Sequence, residues 1–206
     1  MKIKVCGITN VEDALMCEYY GANALGFIFY EKSSRYVSPG TVSEIISYLS
    51  PFTMKVGVFV NESAENIDQV IHNIKLNAIQ LHGDESPQMI ENISIPVIKS
   101  FRVEEGFKFS ILSKYNNAAY LLDTFSPDKL GGTGESFNWD LIPDDLRSKI
   151  ILAGGVSSDN IEYIHKKIKP AAVDLSSSLE KEPGKKDEKK VEEFFYKVGN
   201  LRRMKW

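Results

Sequence analysis

Short apolar runs alternate with amphipathic ones along the whole chain. The apolar runs fall at residues 3–6, 24–29, 54–60, 78–81, 97–101, 120–123, 150–153 and 172–175, each of strand length. The stretches between them carry helical spacing and recognisable starts. Asn10 precedes the run 11–20, and Ser38-Pro39 places a cap residue before a proline at the first helical position. Ser63 opens a third helix and Ser86-Pro87 a fourth. A fifth helical stretch covers 107–115, a short sixth lies around 138–141, a seventh covers 159–167, and a long last helix begins near Asp187. This alternation predicts an α/β fold, a single-domain (β/α)8 TIM barrel over residues 1–206. A doubly wound open sheet would leave some of the apolar runs without a place.

Strand parity says which side chains point into such a barrel, because alternate residues face opposite sides of a strand. If Cys6 faces inward, so does Lys4, while Ile3 and Val5 face the helices. On the last strand Val173 and Leu175 suit the helix side, which turns Asp174 and Ser176 inward. The first and last strands become neighbours when the barrel closes. A Lys4–Asp174 interaction inside it is therefore expected.

Composition narrows the function classes. The formal charge is −3 and no basic stripe is present, so nucleic-acid binding is not expected. The basic pairs Lys185-Lys186 and Arg202-Arg203 read as solvated faces. The 2 cysteines show no disulfide framework and the 3 histidines are scattered, so a zinc site is not expected. No apolar stretch has the length of a membrane span, and no apolar region follows Lys2 and Lys4 as in a signal peptide. A cytoplasmic protein, monomer or homodimer, is the expectation.

In TIM barrels the active site lies at the carboxyl ends of the strands. Those ends supply Cys6, Arg35, His82, Asp123, Gly154-Gly155 and Ser176-Ser177. The glycine pair and the serines follow strands seven and eight, where barrels often bind phosphate; a tight turn plus a helix cap is the plainer alternative. Asp123 ends the apolar run Tyr120-Leu121-Leu122. A carboxyl in such partly buried surroundings is more easily kept as a proton donor, unless it serves as a cap or a loop ion pair. Cys6 is either a small core residue or a base, if its thiolate is favoured. Arg35 offers a fork for a carboxylate or phosphate, or else lies on the surface. His82 is either a ligand contact or a satisfied structural histidine. The glycine-rich stretch 130–135 lacks the lysine and spacing of a nucleotide loop and suggests a mobile cover or a surface connection.

At this point the chain resembles phosphoribosylanthranilate isomerase of tryptophan biosynthesis, nearly end to end. The resemblance rests on KVCGIT at 4–9, GANALGFIFYEKSSRYVS at 21–38, VGVFVN at 56–61, QLHGDE at 80–85, LLDTF at 121–125 and GGTGESFNW at 131–139. It continues through LAGGV at 152–156, VDLSS at 173–177 and E-x-x-P-G-x-K-D at 180–187. It implies an Amadori rearrangement of N-(5-phosphoribosyl)anthranilate to 1-(2-carboxyphenylamino)-1-deoxyribulose 5-phosphate without a cofactor. It also implies Asp123 as general acid, Cys6 as general base, and Arg35 on the anthranilate side. His82 and Asp174 would be further substrate contacts, and Gly154, Gly155, Ser176 and Ser177 would hold the phosphate. The family commonly has glycine where this chain has Ser178; a positive φ there would strain serine and weaken phosphate binding. Two other readings remain. Indole-glycerol-phosphate synthase chemistry would need a lysine with glutamate partners, and Lys99 has no evident glutamate beside it. A silent phosphate-binding module would not need both Cys6 and Asp123.

Overall fold

The computed structural model describes residues 1–124 and 137–203. Its strands are β1 (Lys2–Cys6), β2 (Ala24–Ile28), β3 (Met54–Phe59), β4 (Ala78–Leu81), β5 (Val97–Val103), β6 (Ala118–Thr124), β7 (Ile150–Leu152) and β8 (Ala172–Leu175). They pair in sequence order, all parallel, and β8 returns to β1 to close the barrel. Helices α1 (Val11–Tyr20), α2 (Pro39–Tyr48), α3 (Ala64–Asn73) and α4 (Pro87–Glu91) follow the first strands. Their starts are set locally. Asn10, Ser38 and Ser63 each accept a hydrogen bond from a first-turn backbone N–H, whereas Ser86 makes no such bond.

The later connections depart from the expected helices. The stretch expected to be a fifth helix is a 3-10 helix, Phe109–Tyr115. Ser113 Oγ there donates back to Ser110 O at 2.8 Å, the kind of local bond that competes with an α-helix. A 3-10 turn, Trp139–Leu141, leads into α5 (Asp144–Arg147). Helix α6 (Ile161–Tyr163) widens into a π turn, Ile164–Ile168, and stops at Lys169 with φ 55°, just before Pro170. The last helix, α7 (Glu188–Arg203), starts where the sequence places it. Between β8 and α7 lies an unexpected antiparallel hairpin, β9 (Glu180–Glu182) and β10 (Lys185–Lys186). The glycine-rich stretch 130–135 lies outside the described residues.

Strand parity sorts the core into two zones. Ile3, Val5, Phe27, Ile79, Leu81, Val97, Leu122, Val173 and Leu175 face the helices and form one continuous buried cluster. The opposite parity carries Lys4, Cys6, Gly26, Val58, Gln80, Leu121, Asp123 and Asp174 into the barrel. Lys4 and Asp174 are register partners, and the Lys4 ammonium sits 2.9 and 3.0 Å from the two carboxylate oxygens. The ion pair expected from parity is present.

Two expectations about lysines fail. Lys186 is not on a solvated face: its side chain is 0% exposed. The hairpin folds it under the barrel mouth, where backbone carbonyls and Glu180 surround it. Lys99 does have a glutamate, Glu85, at 3.1 Å. The two meet in space because β4 and β5 are neighbours and the loop after β4 folds back over β5. Elsewhere, His72 is exposed and His165 half-buried. No described helix is long and apolar enough to cross a membrane.

Candidate active site

The carboxyl ends of the strands surround a cavity of about 390 Å³. Cys6, Arg35, His82, Asp123, Gly154, Gly155, Asp174, Ser176 and Ser177 all line it. The structure thus brings together every side chain that the strand ends single out. Among the described residues, no three His, Cys, Asp or Glu groups are placed to hold a metal ion.

Cys6 stands at the end of β1, 7% exposed, with the Lys4–Asp174 pair one layer below. Gly26 on β2 leaves room for it: a Cβ there would lie 2.8 Å from Cys6 Sγ and 3.1 Å from Lys4 Nζ. Burial pushes the Cys6 thiol up, and Asp174 adds to this, while Lys4 and Lys186 pull it back. The net direction is upward, so the thiol form predominates near neutrality in the free protein. For Lys4, burial works most strongly against the ammonium, but Asp174 and Cys6 together outweigh it, and the net direction is upward. Cys17, buried in α1, is pushed up to about 12 by its apolar surroundings and does not reach the cavity.

Asp123 ends β6 on the far side of the mouth. Its Oδ1 accepts from Thr124 N at 2.8 Å, and its Oδ2 lies 3.4 Å from His82 Nε2. The His82 Nδ1 is 2.9 Å from Gln80 Nε2. An amide nitrogen only donates, so in this amide orientation Nδ1 accepts and Nε2 carries the proton toward Asp123. His82 is therefore both a cavity wall and a partner of the carboxylate. Gln80 escaped the sequence reading because it sits inside an apolar run.

The loops after β7 and β8 form the third wall. Gly154 and Gly155 adopt φ of 75° and 74°, which favours glycine. A Cβ at Gly154 would also lie 2.2 Å from Thr124 Oγ1 and 2.9 Å from Asp123 Oδ1. The glycine thus lets this loop lie directly against the acid-bearing strand end. Asn160 pins the loop, donating to Gly155 O at 2.7 Å and accepting from Ser157 N at 3.0 Å. Beside it, after β8, Ser177–Leu179 forms a 3-10 turn. Ser178 is not in the positive-φ region, so the anticipated strain is absent. Its Oγ is buried without a hydrogen-bond partner, as is Gln80 Oε1.

Arg35 differs from expectation in one respect: its fork is already engaged. Nε lies 3.0 and 3.1 Å from the Glu180 oxygens, and Nη2 lies 2.7 Å from Oε2. The guanidinium lines the cavity, whereas Glu180 lies behind it. Burial alone would raise the Glu180 carboxyl, but Arg35 and Lys186 hold it below the ordinary carboxylate value. The Lys99–Glu85 pair does not line the cavity. Lys99 shares the parity of Val97 and Phe101 and points into the helix layer.

The comparisons with known proteins agree with this arrangement. Residues 3–197 match the family model described as N-(5'phosphoribosyl)anthranilate (PRA) isomerase. A Trichlorobacter lovleyi protein named N-(5'-phosphoribosyl)anthranilate isomerase is 44% identical over 94% of this chain and 96% of its own length. The crystal structure of phosphoribosyl anthranilate isomerase from Thermotoga maritima superposes with a TM-score of 0.89 at 39% identity, covering 97% of this chain and 99% of that one. A further isomerase structure, described in complex with reduced 1-(o-carboxyphenylamino)-1-deoxyribulose 5-phosphate, superposes with a TM-score of 0.86 at 38% identity, with 97% and 99% covered. On this strand order, this cavity and these matches, the chain belongs to the N-(5'-phosphoribosyl)anthranilate isomerase family.

Proposed function

We propose that this chain converts N-(5-phosphoribosyl)anthranilate to 1-(2-carboxyphenylamino)-1-deoxyribulose 5-phosphate by acid–base catalysis between Asp123 and Cys6. One observation carries the reading: a thiol and a carboxyl stand on opposite walls of one cavity whose third wall is a polar glycine–serine loop pair. The phosphate sits on Gly154, Gly155, Ser176 and Ser177, where backbone N–H groups and hydroxyls suit an anion. Arg35 meets the anthranilate carboxylate. The sugar then spans the mouth between the two reacting groups.

Asp123 in its acid form donates a proton to the ribose ring oxygen. The C1–O bond breaks and the substrate nitrogen donates its lone pair, giving a protonated Schiff base. The Cys6 thiolate removes the C2 proton, and the electrons flow to nitrogen to leave an enolamine. Protonation at C1 and loss of the proton on the C2 oxygen give the ketone, and the carboxyl and thiolate are regenerated. Every proton released is taken up, so no co-reactant is needed. His82 Nε2, 3.4 Å from Asp123 Oδ2, flanks that carboxyl, and Asp174 is available to accept from a sugar hydroxyl.

The test is turnover of N-(5-phosphoribosyl)anthranilate, followed by its fluorescence loss, in the native protein and in Asp123→Asn. The native protein should turn over, and the variant should lose about 10²–10⁴-fold in kcat, the usual worth of one acid–base group. Native-like turnover in the variant would remove Asp123 from its role. Absence of turnover in the native protein would remove the function.

A further inference from the structure

Behind Arg35 lies a buried charge cluster that the reaction above leaves without a task. Glu180 on β9 grips Arg35, and Lys186 on β10 grips Glu180, with Nζ to Oε1 at 2.9 Å. The lysine also donates to Cys6 O at 2.7 Å and lies 3.4 Å from Ser176 O. Its side chain is 0% exposed and that of Glu180 is 4% exposed. The hairpin is tied to the rest of the barrel by Lys186 N, which donates to Asp13 Oδ2 at 2.8 Å. Gly7 provides the floor: a Cβ there would lie 2.7 Å from Arg35 Cδ and 3.0 Å from Ser176 Oγ.

Charge decides what such a cluster can do. An arginine gripped by a glutamate alone is a neutral pair, and presents little net field to a substrate carboxylate. With Lys186 the group carries two cations and one anion, so a single positive charge remains, and only Arg35 of the three lines the cavity. Other nearby charges do not remove it from the cavity wall. Lys4 and Asp174 neutralise each other, and Asp123 lies across the mouth. Asp13, which accepts from Lys186 N, is half-buried, does not line the cavity and opens on a separate surface pocket, where solvent screens it. Lys190, bonded to Glu180 O at 2.6 Å, is solvent-exposed and screened as well. We propose that Lys186 and Glu180 are positioning residues that hold Arg35 as the cavity's net positive end, and thereby set its selectivity for a substrate bearing an aromatic carboxylate. Glu180 fixes where the guanidinium lies, and Lys186 keeps it effectively charged. The proposal rests on the isomerase reading and deepens it.

The experiment compares kcat/KM for N-(5-phosphoribosyl)anthranilate with that for its decarboxylated analogue, N-(5-phosphoribosyl)aniline. The ratio of the two does not depend on how much of a variant folds, nor on the intrinsic reactivity of the analogue when variants are compared. In Lys186→Met the cluster becomes neutral, and the preference for the carboxylate should fall about tenfold or more, as expected for losing one charge at short range in a partly buried site. In the double variant Glu180→Gln/Lys186→Met the net charge of the cluster is restored by Arg35 alone, the amide oxygen still accepts from the guanidinium and holds it in place, and the preference should recover toward the native ratio. An unchanged ratio in Lys186→Met would overturn the proposal, as would a double variant no more selective than the single one. Failure of the native protein to turn over the anthranilate substrate would instead overturn the isomerase reading.

Discussion

Two buried lysine–glutamate pairs lie at the strand ends of this barrel, and they are put to different uses. Lys99–Glu85 spans the loop after β4 and the strand β5, and Lys186–Glu180 closes the hairpin after β8. Both lysines donate to backbone carbonyls: Lys99 to Gly83 O at 2.7 Å and Ser100 O at 2.9 Å, Lys186 to Cys6 O at 2.7 Å. The difference lies in the glutamates. Glu85 spends its remaining acceptors on the backbone N–H groups of Asn61 and Gly83. Glu180 spends its own on Arg35, whose other edge reaches the cavity. The first pair fastens loops together, while the second places a charge. Burial of a charged pair therefore does not by itself mark a functional site; what matters is where the leftover hydrogen-bonding capacity points.

The same substitution at the two lysines should separate the roles. Lys99→Met leaves the Glu85 carboxylate buried with no cation, and should cost about 3–5 kcal/mol of unfolding free energy, read from urea melts. The discrimination between substrates in the protein that remains folded should not move. Lys186→Met should cost less stability, because Glu180 keeps its fork to Arg35, and should change selectivity instead. A larger stability loss at Lys186 than at Lys99 would break the comparison.

The thiols give a second contrast, of intermediate size. The Cys6 thiol is held above its ordinary value, so its thiolate is the minor form near neutrality and grows as pH rises. The thiolate is the nucleophilic form, so alkylation of Cys6 should speed up with pH through neutrality, about tenfold per unit while the thiol form predominates. The rate of iodoacetamide labelling measures that rise. Cys17, fully buried and pushed up to about 12, should stay unlabelled until the protein unfolds. Equal labelling of both cysteines in the folded protein would count against the picture of Cys6 as the cavity thiol.

The smallest effect is expected one residue from a large one. Lys185 pairs with Glu182 in solvent, with 61% of its side chain exposed, whereas Lys186 beside it is fully enclosed. Lys185→Ala should leave both the urea midpoint and turnover unchanged, since exposed pairs contribute little. A loss comparable to that of Lys186→Met would mean that the hairpin acts as a whole and not through one buried ammonium.

These pairs also show how far the sequence could be read. The strand ends were legible because apolar runs fix both their position and their parity, and parity alone placed Lys4 against Asp174. Parity is a local property, and it carries no information about which loop folds over which strand. Lys99 therefore looked unpaired, although Glu85 was only a loop away in space. The hairpin was missed for a different reason. Residues 180–186 are polar throughout, so no hydrophobic alternation announces two strands, and Lys185-Lys186 reads as surface. Only the E-x-x-P-G-x-K-D pattern within the family resemblance hinted that Glu180 and Lys186 have a fixed place. Gln80 was hidden by the opposite problem, a polar residue inside a run that reads as buried strand.

The most direct test of the central claim follows the C2 proton itself. N-(5-phosphoribosyl)anthranilate deuterated at C2 of the ribose would be turned over by the native protein and by Cys6→Ser under single-turnover conditions. The account predicts a primary isotope effect in the native protein and a rate about 10²–10⁴-fold lower in Cys6→Ser, whose hydroxyl is far too weakly acidic to supply the base. A Cys6→Ser variant that keeps both the native rate and the isotope effect would contradict it, because another group would then be removing the proton.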